Sequence, residues 1–138
     1  MVTTMKKKQA QLIRQSWKRI EPMAQEAGEE FYRKLFNSEP LIRHMFKTDI
    51  AGQALKLTTT LAFVVENIDQ LSSLKPIIRE LGQRHTGYGA QPEHYQVVCE
   101  CMLKVLSDGM KEEWIPELAE AWSDLLHWIS DNMQKTFE

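Results

Sequence analysis

His85 closes an apolar helical stripe in the stretch LGQRHTGYG, residues 81 to 89, just before two glycines suited to ending a helix. A neutral imidazole directed off a helix into an apolar slot can serve as the axial ligand of a cofactor's iron. Taken alone, the same histidine reads first as a core side chain satisfied by a backbone carbonyl. Two other side chains carry donors of interest. Tyr32 offers an O–H and Gln53 an amide N–H. Alone, Tyr32 reads as an ordinary half-buried tyrosine and Gln53 as a solvated residue in a helix's first turn. Cys99 and Cys101 are two apart on a helical pattern, so their side chains point about 200° apart around the axis. They are poorly placed to bridge, and with no second pair they make no zinc site; both are expected to be free thiols. His44, His94 and His127 are read as surface residues without chemistry.

These residues need helices to position them, and helices are what the pattern supplies. Apolar residues recur at spacings of three and four from Leu12 through Ile13, Trp17 and Ile20. Pro22 opens a second segment with Met23, Ala27, Phe31, Leu35 and Phe36. Ser38 is read as the cap of a short third helix, with Pro40 inside it, running to Phe46. Asp49 caps a fourth helix whose inner face is Leu57, Leu61, Val64 and Ile68. The fifth carries Leu74, Ile77 or Ile78, Leu81 and His85, and stops at Gly87 and Gly89. Pro92 starts a sixth on Tyr95, Val98, Met102, Val105 and Leu106, which Gly109 interrupts. Pro116 opens a last helix with Leu118, Trp122, Leu125, Ile129 and Met133. No strand, repeat or linker stands out. The expected class is all-α, about seven helices, with residues 1–138 as one domain.

Charge and composition narrow the partners. Seventeen basic residues against nineteen acidic give a net charge of −2, and the longest like-charge run is Lys6-Lys7-Lys8. That argues against nucleic acid as a partner. No apolar run reaches the roughly eighteen residues a membrane span needs, and no signal-peptide pattern follows the lysines. No membrane insertion and a cytoplasmic location are therefore expected.

Six blocks in fixed order select between the two readings of His85. SWKRIEP (16 to 22), FYRKLF (31 to 36), EPLIRHMF (39 to 46), GQALKL (52 to 57), LGQRHTGYG and PEHY (92 to 95) together resemble the single-domain bacterial globins. These are relatives of the haem domain of flavohaemoglobins, and the resemblance spans nearly the whole chain. It implies a globin fold around one haem, with His85 as proximal iron ligand. It implies Phe46 on the haem face, Gln53 as distal polar residue, Leu57 one turn on, and Tyr32 reaching in from the second helix. Leu81, Tyr95 and Val98 join the cofactor pocket, and Lys56 and Arg84 are the candidate partners of the haem propionates. With no Cys-x-x-Cys-His motif, the haem should be noncovalent haem b.

In flavohaemoglobins a tyrosine and a glutamate make the proximal histidine more electron-donating. Tyr95 matches the tyrosine, but Phe137 stands where the glutamate would fall, with Glu138 one residue on. That departure weighs against oxidative tuning. Glutamine at the distal position is a poor iron ligand, so five-coordinate ferrous iron is expected. The resemblance implies first a reversible oxygen carrier, with carbon monoxide and nitric oxide as further ligands. Second is a nitric oxide dioxygenase drawing electrons from a separate reductase, since no residues are left for a reductase domain. A gas sensor or regulatory globin comes third.

Overall fold

The computed structural model describes residues 5–135, so Phe137 and Glu138 lie outside the described residues. The first helix, α1 (Lys7–Ile20), buries Ala10, Ile13, Ser16, Trp17 and Ile20 on one stripe. A 3-10 turn, Glu21–Met23, holds Pro22 and leads into α2 (Ala24–Ser38). Then come α3 (Pro40–Arg43), α4 (Ile50–Glu66), a 3-10 stretch Ile68–Leu74, α5 (Lys75–Gly87), α6 (Pro92–Met110), a turn Lys111–Glu113 and α7 (Pro116–Gln134). No strand occurs among the described residues. Pro40, Pro92 and Pro116 each sit at a helix start, where a missing N–H costs nothing because it would be unpaired anyway. Asp49 caps α4 by accepting the Gly52 N–H at 2.8 Å.

Three close approaches set the helices in place. A Cβ on Gly28 would lie 3.0 Å from the Ala54 Cβ and 3.3 Å from the Thr58 Cγ2, so α2 crosses α4 there with little between the backbones. A Cβ on Gly82 would overlap the Met133 carbonyl, which makes glycine a requirement for α5 to lie against α7. At the far end of α7, the Trp122 Nε1–H donates to the Ser16 Oγ at 2.9 Å, and that hydroxyl donates to the Ile13 carbonyl at 2.8 Å. This chain of bonds keeps the buried indole satisfied while it fills the seam between α1 and α7. After α5, Gly89 adopts φ +97°, a conformation L-residues rarely take, and the chain reverses into α6.

Four sequence expectations change. The third helix ends at Arg43 instead of Phe46: His44, Met45 and Phe46 donate to Leu41, Ile42 and Arg43, three residues back, so tighter turns replace the α-helix. Ser38 is the last residue of α2, and the α3 cap is Glu39, without a side-chain bond. Gly109 does not break α6, which continues to Met110; the break comes at Lys111, with φ 54°. Pro22 stands in a 3-10 turn before α2. The ambiguity in the fifth helix resolves to Ile78, which is buried, while Ile77 is 49% exposed.

Candidate functional site

His85 is held by its own helix. Its Nδ1 lies 2.9 Å from the Leu81 carbonyl one turn back. A carbonyl oxygen can only accept, so Nδ1 carries the proton and Nε2 of the neutral ring keeps a bare lone pair. This is the arrangement that orients a ligating histidine and raises its basicity. The ring is partly buried, and the exposed Tyr88 ring tilts against it at 6.0 Å.

Beside it, a cleft of ≈340 Å³ opens between α4 and α5. Thr59, Thr60 and Phe63 form one wall, and Ile77, Ile78, Glu80, Leu81 and Arg84 the other. Arg84 donates to the Glu80 carboxylate at 2.8 Å on the exposed rim. Lys56 is exposed and makes no ion pair with a described residue.

Away from the residues that line this cleft, α2 carries an aromatic cluster. Tyr32 on α2 is only 7% exposed. Phe31 meets its ring edge-on at 4.9 Å, Phe46 edge-on at 5.5 Å, and Phe36 at 5.8 Å. Burial pushes the Tyr32 phenol up to about 12, so its O–H stays a donor at any ordinary pH. Its hydroxyl bonds to no other described residue. Gln53 and Leu57, both partly buried, flank Ala54, and Tyr32 follows Gly28 by one turn, so all three lie within a turn of the α2–α4 crossing. An apolar void of ≈30 Å³ lies behind Leu57, toward Trp17 and Phe31.

On α6, Tyr95 is buried and its hydroxyl has no hydrogen-bond partner. Burial raises that phenol's pKa as well. Val98 is partly buried one turn further on. Cys99 and Cys101 are free thiols, and burial above all pushes the pKa of both up. His44 and His127 are exposed; His94 is half-buried and accepts the Gln91 N–H through Nδ1 at 2.9 Å, closing the start of α6.

The donor set suits a haem. One imidazole nitrogen has a free lone pair near a cleft lined by Phe63, Ile77, Ile78 and Leu81, which fits a haem held by a single protein nitrogen. The sequence pattern placed Phe36 in the apolar stripe of α2 but gave it no part in the site, where it touches both Tyr32 and Phe46. Its place four residues after Tyr32, on the same helical face, was the available signal.

Helices throughout the described residues, a histidine one turn from a cleft wall between α4 and α5, and a cluster of aromatic rings on α2 and after α3 define an all-helical domain with a cleft. The chain belongs to the globin family, whose model matches residues 29–133. It is 28% identical over 109 residues to a flavohemoprotein of Vibrio cholerae, covering 74% of this chain, and 27% identical over 117 residues to that of Bacillus subtilis, covering 80%. It spans only 28% and 29% of the length of those two relatives. An anaerobic nitrite reductase of Physcomitrium patens is 24% identical, over 96% of this chain and 82% of its own length. The fold matches the crystal structure of a hexacoordinated heme protein from an anhydrobiotic tardigrade, with a TM-score of 0.85 at 19% identity, covering 96% of this chain and 95% of that one. No described helix is long and apolar enough to cross a membrane.

Proposed function

We propose that this globin binds one haem b noncovalently through His85 and takes up oxygen reversibly. The observation that carries the oxygen reading is Tyr32: its side chain is buried, its phenol is held protonated, and it lies within a turn of the helix crossing that also carries Gln53. When bound, haem would supply a ferrous iron able to take a diatomic gas.

The chain's own residues do the rest. Leu81 fixes the His85 tautomer. Tyr32 and Gln53 donate to a polarised ligand, each worth about 1 kcal/mol and more in a dry pocket. Leu57 and Phe46 keep water out. Arg84 and Lys56 offer cations to the propionates, Arg84 from its pair with Glu80. Leu81, Tyr95 and Val98 complete the pocket wall.

Stopped-flow release of oxygen and carbon monoxide tests the reading. Tyr32→Phe and Gln53→Leu should each speed oxygen release by roughly five- to thirtyfold, the equivalent of losing about 1 to 2 kcal/mol. Carbon monoxide, less polarised, should change less. Unchanged oxygen release in both variants would remove the donor role. Nitric oxide dioxygenation is a second reading, supported by the likeness to flavohemoproteins. It uses the same two donors with electrons from a separate reductase. Nitrate production from nitric oxide under turnover with an added reductase separates it from carriage alone.

A further inference from the structure

Tyr32 can act as a donor only if its ring holds one direction, and that direction is set by a closed group of rings. Tyr32, Phe36 and Phe46 each touch the other two: 5.8 Å from Tyr32 to Phe36, 5.4 Å from Phe36 to Phe46, and 5.5 Å from Tyr32 to Phe46. Phe31 closes the remaining edge of Tyr32. Rotating any member of the triangle pushes on both others, so the weakest-held ring decides how firmly all three stand.

Phe36 and Phe46 are the two partly buried corners, and Phe36, near the end of α2, is the one a side chain covers. It has solvent on one side. On that open side lies Arg43, whose guanidinium carbon stands 5.0 Å from the Phe36 ring centre. A planar cation over a ring face is attracted by the ring's quadrupole and also shields it from water. Arg43 makes no ion pair with any described residue, so no carboxylate pulls it off the ring. Its own carbonyl accepts the Phe46 N–H at 3.2 Å. One residue therefore holds two corners of the triangle, Phe36 through its side chain and Phe46 through its backbone.

We propose that Arg43 is a positioning residue of the distal site: by lying on Phe36 it locks the Tyr32–Phe36–Phe46 triangle and so fixes the direction of the Tyr32 hydroxyl. The consequence for oxygen rests on the function proposed above; the ring-locking does not. Arg43 stands on the surface, so substitutions there leave the core intact.

Two measurements on the same variants separate the layers. The first is ¹⁹F NMR of protein carrying 3-fluorotyrosine, in the haem-free state and in the diamagnetic carbon monoxide complex, with the Tyr32 signal assigned by its loss in Tyr32→Phe. The parent should give one sharp Tyr32 resonance. Arg43→Ala should broaden or split it, while Arg43→Lys, which keeps a cation, should restore much of the sharpness. The second is oxygen release, which Arg43→Ala should speed about two- to fivefold, with carbon monoxide release changed less and Arg43→Lys falling between. An unaltered Tyr32 resonance in Arg43→Ala overturns the proposal. So does oxygen release that Tyr32→Phe speeds but Arg43→Ala does not. If Tyr32→Phe itself leaves oxygen release unchanged while the Arg43 variants disturb the resonance, the ring-locking stands and the oxygen-binding role of Tyr32 falls.

Discussion

The two ends of α7's neighbourhood are built on opposite terms. Where α7 meets α1, Trp122 is fully buried, its indole N–H is spent on Ser16, and Ile13 and Leu125 are equally closed to solvent. Across the molecule, α4 and α5 stand apart around an open cleft, with Phe63 40% and Ile77 49% exposed on its rim. The first region has no polar atom left to give and no room to move. The second keeps a histidine nitrogen free and leaves apolar surface uncovered. A single hydrophobic core thus separates two tasks. The packed side carries folding stability, and the open side keeps the surface a flat, largely apolar cofactor would cover.

The largest expected effect lies on the packed side. Trp122→Ala should cost about 3 to 5 kcal/mol, because it removes an aromatic side chain from a site that cannot collapse. Trp122→Phe should cost only about 1 to 2 kcal/mol, since a single aromatic ring still fills most of the space and the Ser16 hydroxyl still donates to Ile13. Urea denaturation followed by far-ultraviolet circular dichroism measures both. Equal losses would mean that the hydrogen bond, and not the ring's volume, holds α1 to α7.

How much of this division was readable beforehand follows from what each region asks of the chain. The packed side rests on periodicity: Ile13, Trp17, Leu118, Trp122 and Leu125 recur at helical spacing, and burial of those positions is what such spacing means. Helix starts at Pro92 and Pro116 and the Asp49 cap are likewise local chemistry. The end of α3 was not legible. Bonds between residues three apart place side chains at nearly the same period as bonds between residues four apart, so the pattern runs on to Phe46 while the helix stops at Arg43. Gly109 misled for a related reason: a glycine late in a helix reads as a stop, but the reversal came at Lys111. In the site, His85, Tyr32 and Gln53 were singled out through the order of motifs. Phe36 and Arg43 were passed over because their importance is a matter of tertiary contact, and one of them looks like any exposed cation.

Tyr32 is buried like the packed side, and alkali reads its burial directly. Below pH of about 10 the phenol is protonated whether the chain is folded or not, and its burial is harmless. Between that point and about 12 the unfolded chain loses the proton while the folded one keeps it, so the native state is progressively destabilised. The sum is about 2 to 3 kcal/mol at the upper end. Tyr95, shifted in the same direction by burial, adds to the same loss. Stability measured from pH 9 to 12 should therefore fall, and the fall in Tyr32→Phe should be smaller than in the parent by about 2 kcal/mol. Identical slopes would mean that water reaches the Tyr32 hydroxyl.

The smallest expected change in stability is also the sharpest test of the division. His85→Ala in haem-free protein removes a partly buried ring whose one hydrogen bond goes to the Leu81 carbonyl. That carbonyl lies four residues back within α5, so the helix's own N–H at position 85 still pairs with it. Losing the imidazole bond costs about 1 kcal/mol, and alanine's better helix propensity returns roughly half of that. Urea denaturation of the haem-free variant should then fall within about 1 kcal/mol of the parent. Haem titration followed by Soret absorbance should behave quite differently, with weak uptake, an altered spectrum, and partial restoration by added imidazole. If His85→Ala instead destabilises the haem-free chain as much as Trp122→Ala does, His85 is a packing residue and α5 belongs to the closed side. If stability holds and haem uptake is also unchanged, the iron is held from somewhere other than His85, and the open cleft beside it serves a different ligand.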